Sequence, residues 1–239
     1  LSYRTQAAGA LGQRKQAKEF LTRALEANAR EGLKEEIAEE KARWGVYEAV
    51  VGDCQTGKAA AGDSIAEFSD GRNRREAALA LAICGDTAGA NRLIESEIKD
   101  HRENTLLNGL YLPLVKALNS MQRGNGAEAV AALEPSRRFD VTAGPALPYY
   151  ALYMRGLAYL KMKDGGMAAV EFQKILDNPG REPVSVLRPM AQLQLARALA
   201  MKGDKAKAKA AYQDFLAEWK SADTDVPALA EAKTEYAKL

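Results

Sequence analysis

Long Ala- and Leu-rich stretches of helical character run along the chain and are broken at short intervals by a glycine followed by a polar residue. The breaks are Gly12-Gln13, Gly52-Asp53, Gly85-Asp86, Gly124-Asn125, Lys163-Asp164 (with Gly165 beside it) and Gly203-Asp204. A glycine closes one helix without steric cost, and the polar residue caps the next. First members lie 40, 33, 39, 39 and 40 residues apart, so the period brackets a 34-residue helix-turn-helix unit with insertions of about six. Five residues after each first member stands a small residue: Ala17, Gly57, Ala90, Ala129, Ala168 and Ala208. Four further on, a larger apolar side chain follows at Leu21, Ile94, Leu133, Phe172 and Tyr212, with Ala61 the weak position. The small residue lets two antiparallel helices approach, and the large one fills the gap a turn later on the same face.

This pattern predicts an all-α chain with one repeat domain over residues 1–239. Its helical hairpins span about 1–31, 32–69, 70–102, 103–146, 147–185 and 186–222, and a capping helix follows at 226–238. Pro and Gly cluster at Pro135 to Pro148 and Asp177 to Arg188, which are expected as loops between hairpins and not as domain boundaries. Asp225-Val226-Pro227 offers an N-cap and an early proline for the last helix. A polar-faced terminal helix is what a repeat array needs as a cap, so the chain is expected to be complete at its C-terminus. It opens on Leu1 and not Met, which suggests a piece of something longer.

Composition narrows the chemistry. The apolar share is 47% with only 7% aromatic, a load that packs helices closely. Lys and Arg number 34 against 32 acidic residues, a net charge of +2, which calls for neither nucleic acid nor an anionic membrane. No apolar run is long enough to span a bilayer, and no signal peptide opens the chain. Two cysteines, Cys54 and Cys84, and a single histidine, His101, are too few soft ligands for a structural zinc site, so no metal and no cofactor are expected.

Several motifs resemble catalytic ones. Gly52-Asp-Cys-Gln-Thr-Gly57-Lys58 satisfies G-x-x-x-x-G-K after the strand-like Val46 to Val51. Ala59 stands where a phosphate loop needs a hydroxyl for Mg²⁺, and both glycines fall on repeat anchors, so a hairpin turn is the better reading. His101-Arg102-Glu103 lacks the Asp of the kinase catalytic loop, and no glycine-rich loop or Asp-Phe-Gly accompanies it. It reads as a solvated inter-repeat loop. Glu35-Glu36 and Glu39-Glu40, with Lys34 and Lys41, read as solvated charge on a helical face. A lone histidine leaves little room for triad chemistry.

The units resemble the tetratricopeptide repeat, best over residues 149–182. There Gly156 and Tyr159 match the first-helix positions, Ala168 and Phe172 the second-helix pair, and Pro179 the terminating proline, while Arg155 departs from the expected leucine. Leu195, Ala196, Leu199, Ala208 and Tyr212 carry the sixth unit, and Trp44-Gly45 the second. The resemblance implies a right-handed α-α superhelix. The segments from Leu110, Gly144, Glu171, Ala211 and Glu235 further resemble the C-terminal sensor region of Acidobacteria-type membrane-anchored serine/threonine protein kinases. That likeness implies a place beyond a membrane helix, on the extracytoplasmic side. Without it, the repeat region of a cytoplasmic transcriptional regulator is the alternative, and a phosphate-loop hydrolase comes last.

In such an array the first helices line a concave groove that takes a protein or peptide. The register puts Arg75, Tyr111, Leu114, Tyr150, Tyr153, Leu157 and Arg197 on or near it, and Tyr and Arg dominate binding hot spots. The competing reading is that the tyrosines pack between hairpins. Cys54 opens a second helix and Cys84 ends the neighbouring first helix, so a disulfide is conceivable, though two inert thiols are the preferred expectation. A bond would agree with the extracytoplasmic location.

Overall fold

The computed structural model describes residues 2–140 and 149–239; the rest of the Pro135 to Pro148 insertion lies outside them. Among the described residues every regular element is a helix, and no strand is present. In chain order, α1 (Ser2–Ala10) pairs with α2 (Arg14–Arg30), α3 (Lys34–Val51) with α4 (Cys54–Glu67) and α5 (Gly71–Ile83) with α6 (Thr87–Asp100). A π-helical turn, Leu107–Tyr111, leads into α7 (Leu112–Gln122), which pairs with α8 (Gly126–Ala132) and a 3-10 turn, Glu134–Phe139. Then α9 (Tyr150–Lys161) pairs with α10 (Gly165–Leu176), α11 (Leu187–Met201) with α12 (Lys205–Glu218), and α13 (Pro227–Tyr236) packs on α12. Helix α3 also packs against α5, α5 against α7, α7 against α9 and α9 against α11.

The turn chemistry is local. Gly12, Gly52, Gly85, Gly124, Lys163 and Gly203 all take positive φ, between 59 and 101°. The side chains of Asp53, Asp86, Asn125, Asp164 and Asp204 then accept from the amide three residues on. Each cap is worth about 1 kcal/mol. Lys163 takes the left-handed backbone without being a glycine, while the nearby Gly165 serves close packing: a Cβ there would lie 2.4 Å from the Ala198 carbonyl oxygen of α11. Gly45 and Gly57 bring α3 and α4 into backbone contact, since a Cβ on either would stand 3.0 Å from the other's carbonyl oxygen. The small anchors Ala17, Ala90, Ala129, Ala168 and Ala208 are wholly buried, and so are Leu133 and Phe172 one turn later.

The two ends of the chain meet. Trp219, which is 1% exposed, donates its indole N–H to the Ala10 carbonyl at 3.0 Å. Its ring stands against Gly12, where a Cβ would be 3.1 Å away. The Asp223 amide donates to the Gly12 carbonyl at 3.0 Å, and the Asp223 carboxylate accepts from the Lys15 amide at 2.8 Å. Helix α2 has no cap from Gln13, so a residue from the other end of the chain supplies it.

Two expectations are corrected. Cys54 and Cys84 form a disulfide, Cα atoms 5.2 Å apart, because α4 starts beside the end of α5. Glu39 and Glu40 are buried, whereas Glu35 and Glu36 are exposed. Beyond its first turn α3 is mostly buried, Arg43 excepted, and Glu39 pairs with Arg43 and Arg72 while Glu40 takes the Ser2 hydroxyl. The strand-like Val46 to Val51 is the last part of α3. Arg155, where the repeat pattern wants leucine, is wholly buried and holds Glu171 at 3.0 Å as well as Asp140.

Candidate functional site

Where α1, α3, α5 and α9 converge, the structure leaves a cavity of about 190 Å³. Helix α1 contributes Ser2, Thr5 and Gln6, and α3 contributes Glu40, Arg43, Trp44, Val46 and Tyr47. Glu76 comes from α5 and Tyr150 from α9, and the 182–186 segment before α11 closes the far side. Glu40, Trp44 and Tyr47 reach the same space because residues three and four apart share a helix face.

That closing segment is held by Tyr149, a buried residue at φ 73°. Its hydroxyl donates to the Asn178 carbonyl and accepts from the Glu182 amide at 3.2 Å. Backbone strain of this kind costs roughly 1–3 kcal/mol, and the two hydrogen bonds offset it while placing Glu182 over the cavity. Trp44 and Tyr47 stack with ring centroids 5.0 Å apart.

Among the cavity's carboxyl groups Glu76 is strongly perturbed. It is 7% exposed, and its Oε2 has no hydrogen-bond partner. Burial pushes its carboxyl up to about 7, against the lowering influence of Arg43. Burial likewise raises Glu182, again opposed by Arg43 and by the Ser185 hydroxyl. The Tyr47 hydroxyl is also buried without a partner, and burial raises its titration well above the ordinary range. Tyr150 is raised for the same reason.

Of the residues expected in a groove, Tyr150 alone lines this cavity. Arg75 lies over the Tyr111 ring at 5.4 Å and pairs with Glu97, and both belong to the surroundings of Glu76. Leu114 is wholly buried. Tyr153, 3% exposed, meets Phe172 edge-on at 5.7 Å and accepts from Gln194 at 3.4 Å. Leu157 is half-buried. Arg197 turns to α13 and pairs with Glu231 and Glu235, each at 2.8 Å. Glu40, Arg43, Tyr47, Glu76 and Glu182 were not singled out as ligand contacts. The usable signal was the one-turn spacing of Glu40, Trp44 and Tyr47 on a first helix.

The motifs that resemble catalytic ones are engaged in the fold. Thr56 gives its amide to Asp53 Oδ1 and Gly57 its amide to the Asp53 carbonyl, so the phosphate-loop-like run is the first turn of α4. His101 caps α6 with Nδ1 3.2 Å from Glu97. Among the described residues no group of three or more His, Cys, Asp or Glu is placed to hold a metal ion. No described helix is long and apolar enough to cross a membrane. The sequence matches no protein-family model and no curated protein.

Proposed function

We propose that this chain is a non-catalytic binding module of tetratricopeptide-like hairpins that takes a protein or peptide partner at its inward face. The observation that carries the reading is the convergence of α1, α3, α5 and α9 on one cavity whose buried Glu76 and Tyr47 have polar atoms without a protein partner. Buried polar groups are ordinarily paired, and an unpaired one points to a ligand that completes it. The superhelical character of the array belongs to the same proposal. So does its origin as the sensor or interaction region of a membrane-anchored bacterial serine/threonine protein kinase. The Cys54–Cys84 bond supports the extracytoplasmic side, because cytosolic thiols are kept reduced.

The test is site-specific photo-crosslinking of the chain in its native host. A photoreactive residue at position 43, beside the cavity, should yield one reproducible protein adduct, while the same residue at the exposed position 18 on α2 should not. Identical adducts from both positions, or none from position 43, would refute the reading.

A further inference from the structure

We propose that the cavity walled by Trp44, Tyr47 and Tyr150 and by Glu40, Glu76 and Glu182 binds a primary ammonium group carried on a short alkyl stem. The inference rests on the binding-module reading and names the chemistry of its ligand.

Charge excludes the opposite sign. Three carboxylates line the space against one guanidinium, Arg43, which is already drawn to Glu39 on its own helix. An anion would face net repulsion, and a purely apolar guest would leave the buried Glu76 carboxyl unpaired. A cation answers both conditions. Its three N–H donors can be shared among separate carboxylates, and a compact ammonium does not need the coplanar oxygen pair that a guanidinium prefers. The Tyr47 hydroxyl oxygen is a further acceptor without a partner.

The aromatic walls fit the same guest. Ammonium groups are attracted to the faces of Trp and Tyr rings, more strongly where water is excluded. The stem requires apolar surface, and Trp44, Val46, Val184 and Val186 provide it. Size is compatible, since an apolar cavity of roughly 150 Å³ admits benzene and this one measures about 190 Å³. Arg43 is exposed, and Gln6, Glu182 and Val184 are only half-buried, so the cavity communicates with solvent on that side.

Two sources carry this chemistry: a free aliphatic amine and the lysine side chain of a protein partner. Calorimetric titration of the whole chain with n-butylamine and with N-acetyl-lysine methylamide separates them. N-butylacetamide serves as the neutral analogue and butyrate as the anionic one. Either amine should bind at least tenfold more tightly than both analogues at pH 8 and low salt. Binding of n-butylamine alone assigns a free amine, and binding of both probes admits a lysine side chain.

Glu76→Gln should weaken the amines at least tenfold with its far-UV spectrum retained and its urea midpoint no lower than that of wild type, and Glu76→Asp should restore part of the loss. Wild-type affinity should rise between pH 6 and 8, as Glu76 loses its proton, and the rise should vanish in Glu76→Gln. Facing Glu76 are Glu39 and Arg43 from α3, Arg72 and Arg75 from its own helix, Tyr111 from the π-helical turn and Tyr150 from α9. Equal affinity for n-butylamine and N-butylacetamide would overturn the proposal, and so would an unchanged affinity in folded Glu76→Gln. A position-43 adduct that persists when neither amine binds would sink the ammonium assignment and leave the binding-module reading standing.

Discussion

Trp219→Ala removes the largest of the wholly buried side chains and, with it, the hydrogen bond that ties α12 to the end of α1. A buried Trp withdraws roughly 150–250 Å² from water, which at about 25 cal/mol per Å² corresponds to about 4–6 kcal/mol. That is an upper figure, because the unfolded chain already hides part of its surface. Measured Trp truncations of about 3–5 kcal/mol point to a loss of about 4 kcal/mol here. In a chain of this size each kcal/mol moves the melting midpoint by about 2–4 °C, so the midpoint should fall by about 8–16 °C. Trp219→Phe keeps most of the ring contact with Phe215 and loses the indole donor, and should cost about 1–2 kcal/mol.

Urea titration followed by far-UV circular dichroism is the appropriate assay, because Trp219 is one of only two tryptophans and its removal distorts a fluorescence readout. Hydrogen exchange locates the damage. The Lys15 and Asp223 amides, both engaged in the contact between the ends, should lose protection before those of α9 do. A loss under about 1 kcal/mol, or exchange that rises uniformly along the chain, would refute the closure argument.

Further outcomes follow from other buried groups. Arg155→Met leaves Glu171 and Asp140 without their shared cation in a closed site and should cost about 3–5 kcal/mol in urea titration. Reducing the Cys54–Cys84 bond frees a loop of 30 residues and should lower stability by roughly 3–4 kcal/mol in the chain-entropy account, while alkylation of the untreated protein should add no mass. Glu76 titrates higher in the fold, about 7, than in the open chain, 4.5. Its protonated form is therefore favoured by folding: the contribution is full below pH 4.5 and is lost as pH rises through about 7. That interval is worth about 3 kcal/mol. Glu76→Gln should accordingly be more stable than wild type at pH 8 and show a flatter urea-midpoint profile between pH 5 and 8.

What the sequence discloses is what its local chemistry decides. A glycine or strained lysine at positive φ followed by Asp or Asn marks a turn wherever the chain lies, so Gly52-Asp53 and Lys163-Asp164 are readable without a structure. Gly32 has the same backbone at φ 71° but is followed by Leu33, which caps nothing, and it gave no signal. The buried state of Glu39 and Glu40 depends on Arg72 from α5 and Ser2 from α1, neither of which a charge count along α3 can reveal. The disulfide needed the relative placement of α4 and α5. Of the cavity only Tyr150 was legible, because its lining is assembled from segments more than 180 residues apart, and their meeting is a tertiary event.

The closure of the chain and the cavity are one structural fact seen twice. An open stack of hairpins would hold α1 away from the 182–186 segment, so Ser2, Thr5 and Gln6 could not share a space with Glu182 and Val184. They share it because α1 packs on α11 while Trp219 and Asp223 hold the α1–α2 turn. Within the cavity Ser2 bonds Glu40, and Ser185 stands beside Glu182. Neither relieves Glu76, so the fold maintains an unpaired carboxyl in its interior through contacts made elsewhere. Such a group is tolerated when the surrounding structure over-determines it, and its energetic cost is recovered when a ligand supplies the missing partner. Weakening the closure at Trp219 should therefore loosen the ligand's site as well as the fold. The affinity of Trp219→Phe for n-butylamine should fall although the substituted side chain is not among the residues lining the cavity.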